Sequence, residues 1–219
     1  MKKHIFIFGN NSLAILLHYY LHSEDIVVEG FCLNKKYIKK FDLPLECYAI
    51  EDVIDKYGAG NVAVYVTIAY VNMNKTREVV SEWLTEQGVE ILNYIHPSAV
   101  VASNVDMGHG NILLEQVAIQ PFVKIGNGNI FWNNTTISHH SILGNYNYLA
   151  AGVTIAGKTN INNRSFWGCN STSANDIKIE DDVLIGAGAY LYKSIKQGSA
   201  FVPQRGLILD KKSTDIILL

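Results

Sequence analysis

The stretch FWNNTTISHHSILGNYNYLAAGVTIAGKTNI, residues 131–161, carries a bulky apolar residue at every sixth position, six times in succession. The same step continues in both directions, from Val101 to Leu191. Of its sixteen positions, thirteen hold Val, Leu, Ile or Met, two hold an aromatic residue and one holds Ser. A period of six fits neither a helix nor simple strand alternation. It predicts a solenoid of very short strands joined by tight corners, with the apolar residue filling the interior.

The residue after each apolar position is usually Gly, Ala or Ser. We expect this small neighbour to let the backbone turn at the corner without a steric clash. Three hexads make one coil of 18 residues, so sixteen hexads make a little over five coils.

Before residue 95 the sequence follows a different pattern. Short apolar runs alternate with stretches of helical character, and the last helical stretch ends at Gly88. The apolar runs are residues 4–8, 26–32, 62–68 and 89–94, and the helical stretches are residues 10–20, 50–57 and 74–87. This alternation predicts βαβ units and a parallel sheet. We therefore expect an α/β domain over residues 1–94 and an all-β solenoid over residues 95–219.

The composition excludes several classes of protein. The 219 residues are 48% apolar and 17% charged, which indicates a packed globular protein. The net charge is −2 and no dense run of Lys and Arg occurs, which argues against a nucleic acid partner. The three cysteines, Cys32, Cys47 and Cys169, are far apart and predict neither a metal site nor a disulfide framework. No segment reaches the roughly 18 apolar residues of a membrane span, so we expect a cytoplasmic protein.

Three features resemble the hexapeptide-repeat acyltransferases. They are the hexad array, the segment YIHPSA at residues 94–99 and the segment ISHHSILG at residues 137–144. Together with a Rossmann-like N-terminal domain, they make the chain similar to sialic acid O-acetyltransferases and nucleotide-sugar N-acetyltransferases of bacterial surface-glycan biosynthesis. The resemblance implies a left-handed parallel β-helix and a homotrimer. It also implies acyl-CoA, most commonly acetyl-CoA, in the groove between neighbouring solenoids, and an acceptor sugar that approaches from the N-terminal domain.

Acyl transfer from a thioester needs a base for the attacking group and donors for the tetrahedral oxyanion. In the related enzymes a histidine of this motif is the base, and the match falls on His139. Many relatives place Asp or Glu next, where this sequence has His140, and His140 itself is the alternative base. Gly157 lies one coil after His139, and the relatives use the backbone N–H at this position to hold the thioester carbonyl.

The resemblance also assigns residues to the cofactor groove. Gly186 and Ala187 begin a GAGA element whose backbone lines the pantetheine arm, and Cys169 is expected to line the groove. Lys193 is expected to meet a CoA phosphate as a point charge, with a solvated surface lysine as the alternative. Some relatives have a second histidine near the cofactor at the position of Tyr148.

The acceptor is expected to lie against the N-terminal domain. Gly9 and Asn10 follow the first strand, where backbone N–H groups at the helix start are available to a nucleotide sugar. Because only one glycine is present, a full phosphate-cradling loop is not predicted. Asn34 and Lys35 follow the second strand, and Asn72 precedes the last helix, near the edge where α/β domains bind ligands. The alternative is a domain that serves only packing and orientation.

Two other functions stay open. A β-helix can serve as a non-catalytic scaffold or sugar-binding module. A zinc enzyme of the γ-type carbonic anhydrase kind needs three well-placed ligands, and here His139 and His140 are adjacent while His109 lies thirty residues earlier. We therefore expect no metal cofactor. Amino and hydroxyl groups of the sugar both remain candidates for acylation.

Overall fold

The computed structural model describes residues 3–204, 206 and 210. The last fifteen residues assigned to the second domain therefore lie, with those two exceptions, outside the described residues. The first domain is a five-stranded parallel sheet in the order β3-β2-β1-β4-β5, which is the strand order of a Rossmann fold. Its strands are β1 (His4–Phe8), β2 (Gly30–Leu33), β3 (Cys47–Ala49), β4 (Val62–Val66) and β5 (Glu90–Ile91). Its helices are α1 (Ser12–Ser23), α2 (Ile50–Tyr57) and α3 (Lys75–Glu86).

Local sequence accounts for several of these boundaries. The Asn11 side chain accepts a hydrogen bond from the Ala14 N–H at 3.0 Å and so caps the start of α1. Gly58, with φ of +79°, follows the last residue of α2. Strand β4 lies between two neighbours and is buried at all five positions, as its unbroken apolar run predicts. Residues 26–29, by contrast, lie outside β2, which begins at Gly30.

The second domain is a left-handed parallel β-helix, which confirms the fold predicted from the hexads. Eighteen two-residue strands stack into three parallel sheets of seven, six and five strands. They are β6 (Tyr94–Ile95), β7 (Val100–Val101), β8 (Asp106–Met107), β9 (Ile112–Leu113), β10 (Ala118–Ile119), β11 (Lys124–Ile125), β12 (Ile130–Phe131), β13 (Thr136–Ile137), β14 (Ile142–Leu143), β15 (Tyr148–Leu149), β16 (Thr154–Ile155), β17 (Asn160–Ile161), β18 (Phe166–Trp167), β19 (Thr172–Ser173), β20 (Lys178–Ile179), β21 (Leu184–Ile185), β22 (Tyr190–Leu191) and β23 (Ala200–Phe201).

Each coil repeats the register of the one before. Ile119 pairs with Ile137 and Ile137 pairs with Ile155, so the step between coils is 18 residues. The hexad residues point inward and form one continuous apolar core, in which Trp167 is fully buried. The polar exception, Ser173, is also buried, and its hydroxyl accepts a hydrogen bond from the Ala156 N–H at 3.0 Å. A buried polar side chain is therefore accommodated without an unpaired group.

The corners turn at a different residue from the one expected. One residue in every six, from Gly110 to Gly188, adopts a left-handed conformation, and it lies three positions after the inward apolar residue. The small neighbour has another role, because it lets successive coils approach closely. A Cβ on Gly144 would lie 2.7 Å from the carbonyl oxygen of Asn162 in the next coil. The small residue therefore prevents a clash between coils, and the left-handed turn itself lies two positions later.

The two domains share an apolar core. Strand β6 pairs with β9 and belongs to the seven-stranded sheet of the solenoid. Outward-facing residues of that sheet, among them Ile112, Ile130 and Tyr148, pack with Ile7 of β1 and Leu17 of α1. The N-terminal domain therefore covers the seven-stranded sheet of its own chain. Within the described residues, no helix is both long and apolar enough to cross a membrane.

Candidate active site

His139 and His140 lie at the corner between β13 and β14, where the chain passes from the six-stranded to the five-stranded sheet. Successive coils place His139, Gly157, Asn175 and Lys193 along this line, which we call the His139 edge. In a three-sided prism this edge lies opposite the seven-stranded sheet. Because the N-terminal domain covers that sheet, both histidines face away from the N-terminal domain of their own chain, and both are exposed.

The two imidazoles contact each other. Their Nδ1 atoms lie 3.1 Å apart and their ring planes are nearly perpendicular, at 85°. A hydrogen bond at this distance needs one protonated and one unprotonated Nδ1. His139 offers a free lone pair on Nε2 when its proton is on Nδ1 and is donated to His140. The geometry therefore lets His140 orient His139.

One aromatic and one polar neighbour hold the two histidines in place. The His140 ring stacks on Phe122, one coil earlier, with ring centroids 4.7 Å apart. The His139 N–H donates to the side-chain oxygen of Gln120 at 2.9 Å. Neither neighbour was singled out from the sequence. Phe122 could have been found, because it lies 18 residues before His140.

Gly157 lies directly beneath the His139 ring. A Cβ on this residue would lie 2.8 Å from Cε1 and 3.0 Å from Nε2 of His139, so a side chain here would displace the imidazole. The Lys158 N–H donates to the His139 carbonyl at 3.0 Å and fixes the two coils against each other. Within residues 3–204, the Gly157 N–H has no hydrogen-bond acceptor. A potential base and an uncommitted N–H donor therefore lie side by side on the surface.

The residues expected along the cofactor lie on two edges of the solenoid and, for Tyr148, on its seven-stranded sheet. Lys193 is exposed and lies on the His139 edge, three coils beyond His139. Cys169, Gly186 and Ala187 lie together on the next edge, between the seven-stranded and six-stranded sheets, where the Gly188 N–H bonds the Cys169 carbonyl at 2.8 Å. Within one chain, Cys169, Gly186 and Ala187 therefore do not lie next to His139.

Tyr148 lies apart from both edges. Its side chain is only 6% exposed and stacks on Phe166, with ring centroids 5.4 Å apart, while Tyr70 packs against both rings. Burial raises the pKa of Tyr148 to about 12. The residue contributes to the packing between the two domains.

A cavity of about 650 Å³ lies at the carboxyl edge of the N-terminal sheet. It is lined by Asn34, Lys35 and Asn72, three of the residues expected to contact the acceptor. Lys75 and Trp83 of α3 also line it, and Trp83 was not identified from the sequence. Lys35 is held at one wall, because its side chain pairs with Asp52 at 2.8 Å.

Gly9 and Asn10 do not line this cavity. Gly9 has a φ of +145°, and a Cβ there would collide with the Thr67 side chain, so the glycine is needed for local packing. Asn10 is exposed at the turn before α1. Across residues 3–204, no three His, Cys, Asp or Glu side chains come together as a potential metal site.

Residues 122–157 match the family of bacterial transferase hexapeptide repeats (six repeats). No curated protein matches the sequence. Among solved structures, the acetyltransferase domain of PglB from Neisseria gonorrhoeae superposes with a TM-score of 0.81 at 17% identity, covering 92% of this chain and 97% of that chain. It is also known in complex with acetyl coenzyme A.

Two further structures share the fold over nearly the whole chain. PerB from Caulobacter crescentus, in complex with CoA and GDP-perosamine, gives a TM-score of 0.70 at 20% identity, over 91% of this chain and 94% of that chain. WeeI from Acinetobacter baumannii gives 0.70 at 19% identity, over 92% and 97%. At these identities the likeness establishes a common two-domain fold.

Proposed function

We propose that this chain, a left-handed β-helix built on bacterial transferase hexapeptide repeats, transfers an acetyl group from acetyl-CoA to an amino or hydroxyl group of a nucleotide-linked sugar. The observation that carries the proposal is the His139 imidazole, oriented by His140 and stacked on Gly157 with its uncommitted N–H. Two structures of the same fold support it, since one binds acetyl coenzyme A and another binds CoA with GDP-perosamine.

In the proposed reaction His139 acts first as a base and then as an acid, while Gly157 and His140 each have one role. The sugar amine or hydroxyl attacks the thioester carbonyl carbon, and His139 Nε2 takes the proton that it loses. The Gly157 N–H donates to the oxyanion of the tetrahedral intermediate. Collapse of the intermediate breaks the carbon–sulfur bond, and the departing CoA thiolate takes the proton from His139. His140 accepts from His139 Nδ1 and stabilises the imidazolium that forms.

The position of His139 relative to its own N-terminal domain supports an assembly of more than one copy, for which we propose the homotrimer that the resemblance implies. The cavity near Asn72 belongs to the domain that covers the seven-stranded sheet, whereas His139 lies on the opposite edge. An acceptor held in that cavity would therefore meet the His139 of another copy. The same packing would let Cys169 and the Gly186–Ala187 segment of one copy line a cofactor groove with the His139 edge of its neighbour.

The span of the His139 edge fits an extended acyl-CoA. Lys193 lies three inter-strand spacings from His139, which is about 14 Å along the solenoid axis. A thioester at His139 would place the pantetheine arm along the edge and the CoA phosphates near Lys193. Because acetyl-CoA is a cytoplasmic metabolite in bacteria, we assign the reaction to the cytoplasm, within surface-glycan biosynthesis.

The 650 Å³ cavity suits the nucleotide part of the acceptor. Lys75 at the start of α3 and Lys36 supply positive charge for a diphosphate, whereas Lys35 is paired with Asp52. The Trp83 ring offers an apolar surface for a base or a sugar. Asn34 and Asn72 supply hydrogen-bonding groups at the cavity wall.

A thiol-release assay tests this proposal. Acetyl-CoA is incubated with the protein and a panel of UDP-, GDP-, dTDP- and CMP-linked amino and hydroxy sugars, with free sugars included, and products are identified by mass spectrometry. We expect CoA release with one class of nucleotide sugar and a mass increase of one acetyl group on it. No release with any acceptor, combined with no acetyl-CoA binding by calorimetry, would favour the scaffold function instead.

A further inference from the structure

The turn before α3 has an unusual backbone. Asn72, Met73 and Asn74 have φ values of +51°, +49° and +66°, so three consecutive residues without glycine are left-handed. Such residues normally occur singly, because the Cβ crowds the following carbonyl oxygen. A strained run of this kind persists only where its surroundings fix it. Asn72 lines the acceptor cavity, so the strained turn forms part of the cavity wall.

Asn74 ties this turn to the solenoid. It is fully buried, and its side-chain amide donates to the Ser165 carbonyl at 3.1 Å. Its side-chain oxygen accepts from Arg77 at 3.2 Å. The side chain makes no capping hydrogen bond to α3, although Asn74 is the residue before the helix. The side-chain amide of this asparagine therefore bonds the solenoid, while its side-chain oxygen holds the Arg77 guanidinium of α3 and caps no backbone N–H of the helix.

Arg77 extends the same connection. It is fully buried, and its Nε donates to the Gly128 carbonyl and its Nη2 to the Tyr146 carbonyl, both at 2.8 Å. Its Nη1 donates to the Ile68 carbonyl at 2.9 Å, just after β4. Burial lowers the pKa of Arg77 to about 9, so the guanidinium remains charged at neutral pH. These carbonyls compensate a charge that would otherwise be costly to bury.

We infer that Asn74 and Arg77 are positioning residues, which hold the acceptor cavity in a fixed register with the solenoid. The carbonyls that they bond belong to successive coils, at Gly128, Tyr146 and Ser165, and to the loop after β4. The turn at Asn72 and the first turn of α3, which begins at Lys75, therefore move with the solenoid as one body. The inference rests on the proposed function, because the register matters only if an acceptor in the cavity must reach a reaction centre.

Such a register has a measurable consequence for catalysis. A misplacement of about 1 Å in a bound reactant costs on the order of 10²-fold in rate. Because the cavity holds the acceptor, loosening the cavity should change the kinetic constants for the acceptor and not those for the acyl donor. Replacing a residue that serves only folding would instead change the kinetic constants for both substrates alike, or for neither.

The test variant is Asn74→Gly. Glycine adopts the φ of +66° without strain, so the turn is still allowed while both side-chain hydrogen bonds are removed. The matched control is Asn134→Gly, an exposed asparagine with φ of +59° in a solenoid corner. Steady-state kinetics are measured for the nucleotide sugar and for acetyl-CoA, well below the melting temperature of each variant. Amide hydrogen exchange is followed over residues 68–76.

We expect Asn74→Gly to lower kcat/KM for the acceptor about tenfold, mainly by raising the acceptor KM, because both buried hydrogen bonds of the side chain are lost, with the acetyl-CoA KM within twofold of the wild type. Exchange over residues 68–76 should be faster in this variant only. Unchanged acceptor KM, or equal changes in both KM values, would overturn the inference while leaving the acyltransferase activity intact. A wild-type protein that acylates no acceptor and binds neither UDP nor GDP would overturn the proposed function and this inference together.

Discussion

Replacing Gly157 by Ala tests whether the position of the His139 ring controls turnover. The added Cβ would lie 2.8 Å from His139 Cε1, whereas an ordinary contact needs at least about 3.4 Å, so the ring must move by about 0.6 Å or more. A shift approaching 1 Å in a catalytic group costs on the order of 10²-fold. We therefore expect kcat to fall by about 10- to 100-fold.

The fold should tolerate this substitution. Gly157 is not among the glycines with positive φ, so alanine can adopt its backbone conformation. The His139 side chain is exposed and free to move aside. We expect the free energy of unfolding to change by less than about 1 kcal/mol, because the smaller entropy of the unfolded chain offsets the crowding.

Thiol-release kinetics and thermal unfolding measure both quantities. The control variant is Gly60→Ala, where an added Cβ has no neighbour within 4 Å and should leave kcat unchanged. A Gly157→Ala protein with wild-type kcat would refute the argument that the imidazole works from its place above Gly157. A fall in kcat that merely parallels a large loss of stability would refute it as well.

Two further predictions concern the neighbours of this site and the pH dependence of stability. His140→Gly keeps the left-handed φ of +60° but removes the hydrogen-bond acceptor for His139 Nδ1, so kcat should fall about tenfold. His140→Asp supplies a carboxylate acceptor instead and should retain most of the wild-type kcat. Equal rates for the two variants would exclude the orienting role. Arg164 donates a hydrogen bond to Asp182 at 2.8 Å and lowers the pKa of that carboxyl. The pair therefore stabilises the fold fully at pH values above the usual pKa of Asp. This contribution is lost as the pH falls through the lowered pKa of Asp182. Denaturant unfolding should show Arg164→Gln about 2 kcal/mol less stable than the wild type at pH 7, with the gap narrowing as the pH falls through the lowered pKa of Asp182; a gap of constant size would contradict this assignment.

The sequence was sufficient to predict the solenoid because one constraint repeats in every coil. An interior only wide enough for one large side chain per strand imposes an apolar residue every six positions, and the positions from Val101 to Leu191 follow it. The 18-residue step also placed Gly157 beside His139. The turning residues were missed, since positions such as His140 and Phe122 share a backbone conformation and no common chemical character.

The N-terminal domain was predictable where local signals act alone. Helix α2 has the predicted bounds, because Gly58 stops it. Strand β2 begins later than its apolar run suggested. A Cβ on Gly30 would lie 2.6 Å from the Tyr48 ring and 2.8 Å from the Glu46 carbonyl, a contact between strands that no local pattern encodes.

The contacts between the domains could not be derived from the sequence. Arg77 bonds carbonyls more than fifty residues away, and neither the hexad period nor the helical period relates these positions. The cavity residue Trp83 follows the ordinary pattern of a helix face packed on a sheet. Such residues can be identified as candidates only once the relative positions of the helices and strands are known.

Single-turnover kinetics of His139→Ala test whether His139 is the general base. Wild-type and variant proteins are mixed with acetyl-CoA and the preferred nucleotide sugar, and the binding of acetyl-CoA to each is measured separately by calorimetry. We expect a rate lower by about 10²–10⁴-fold with acetyl-CoA affinity retained, as for the loss of a general base. A variant that transfers the acetyl group at the wild-type rate would contradict the assignment of His139 as the base.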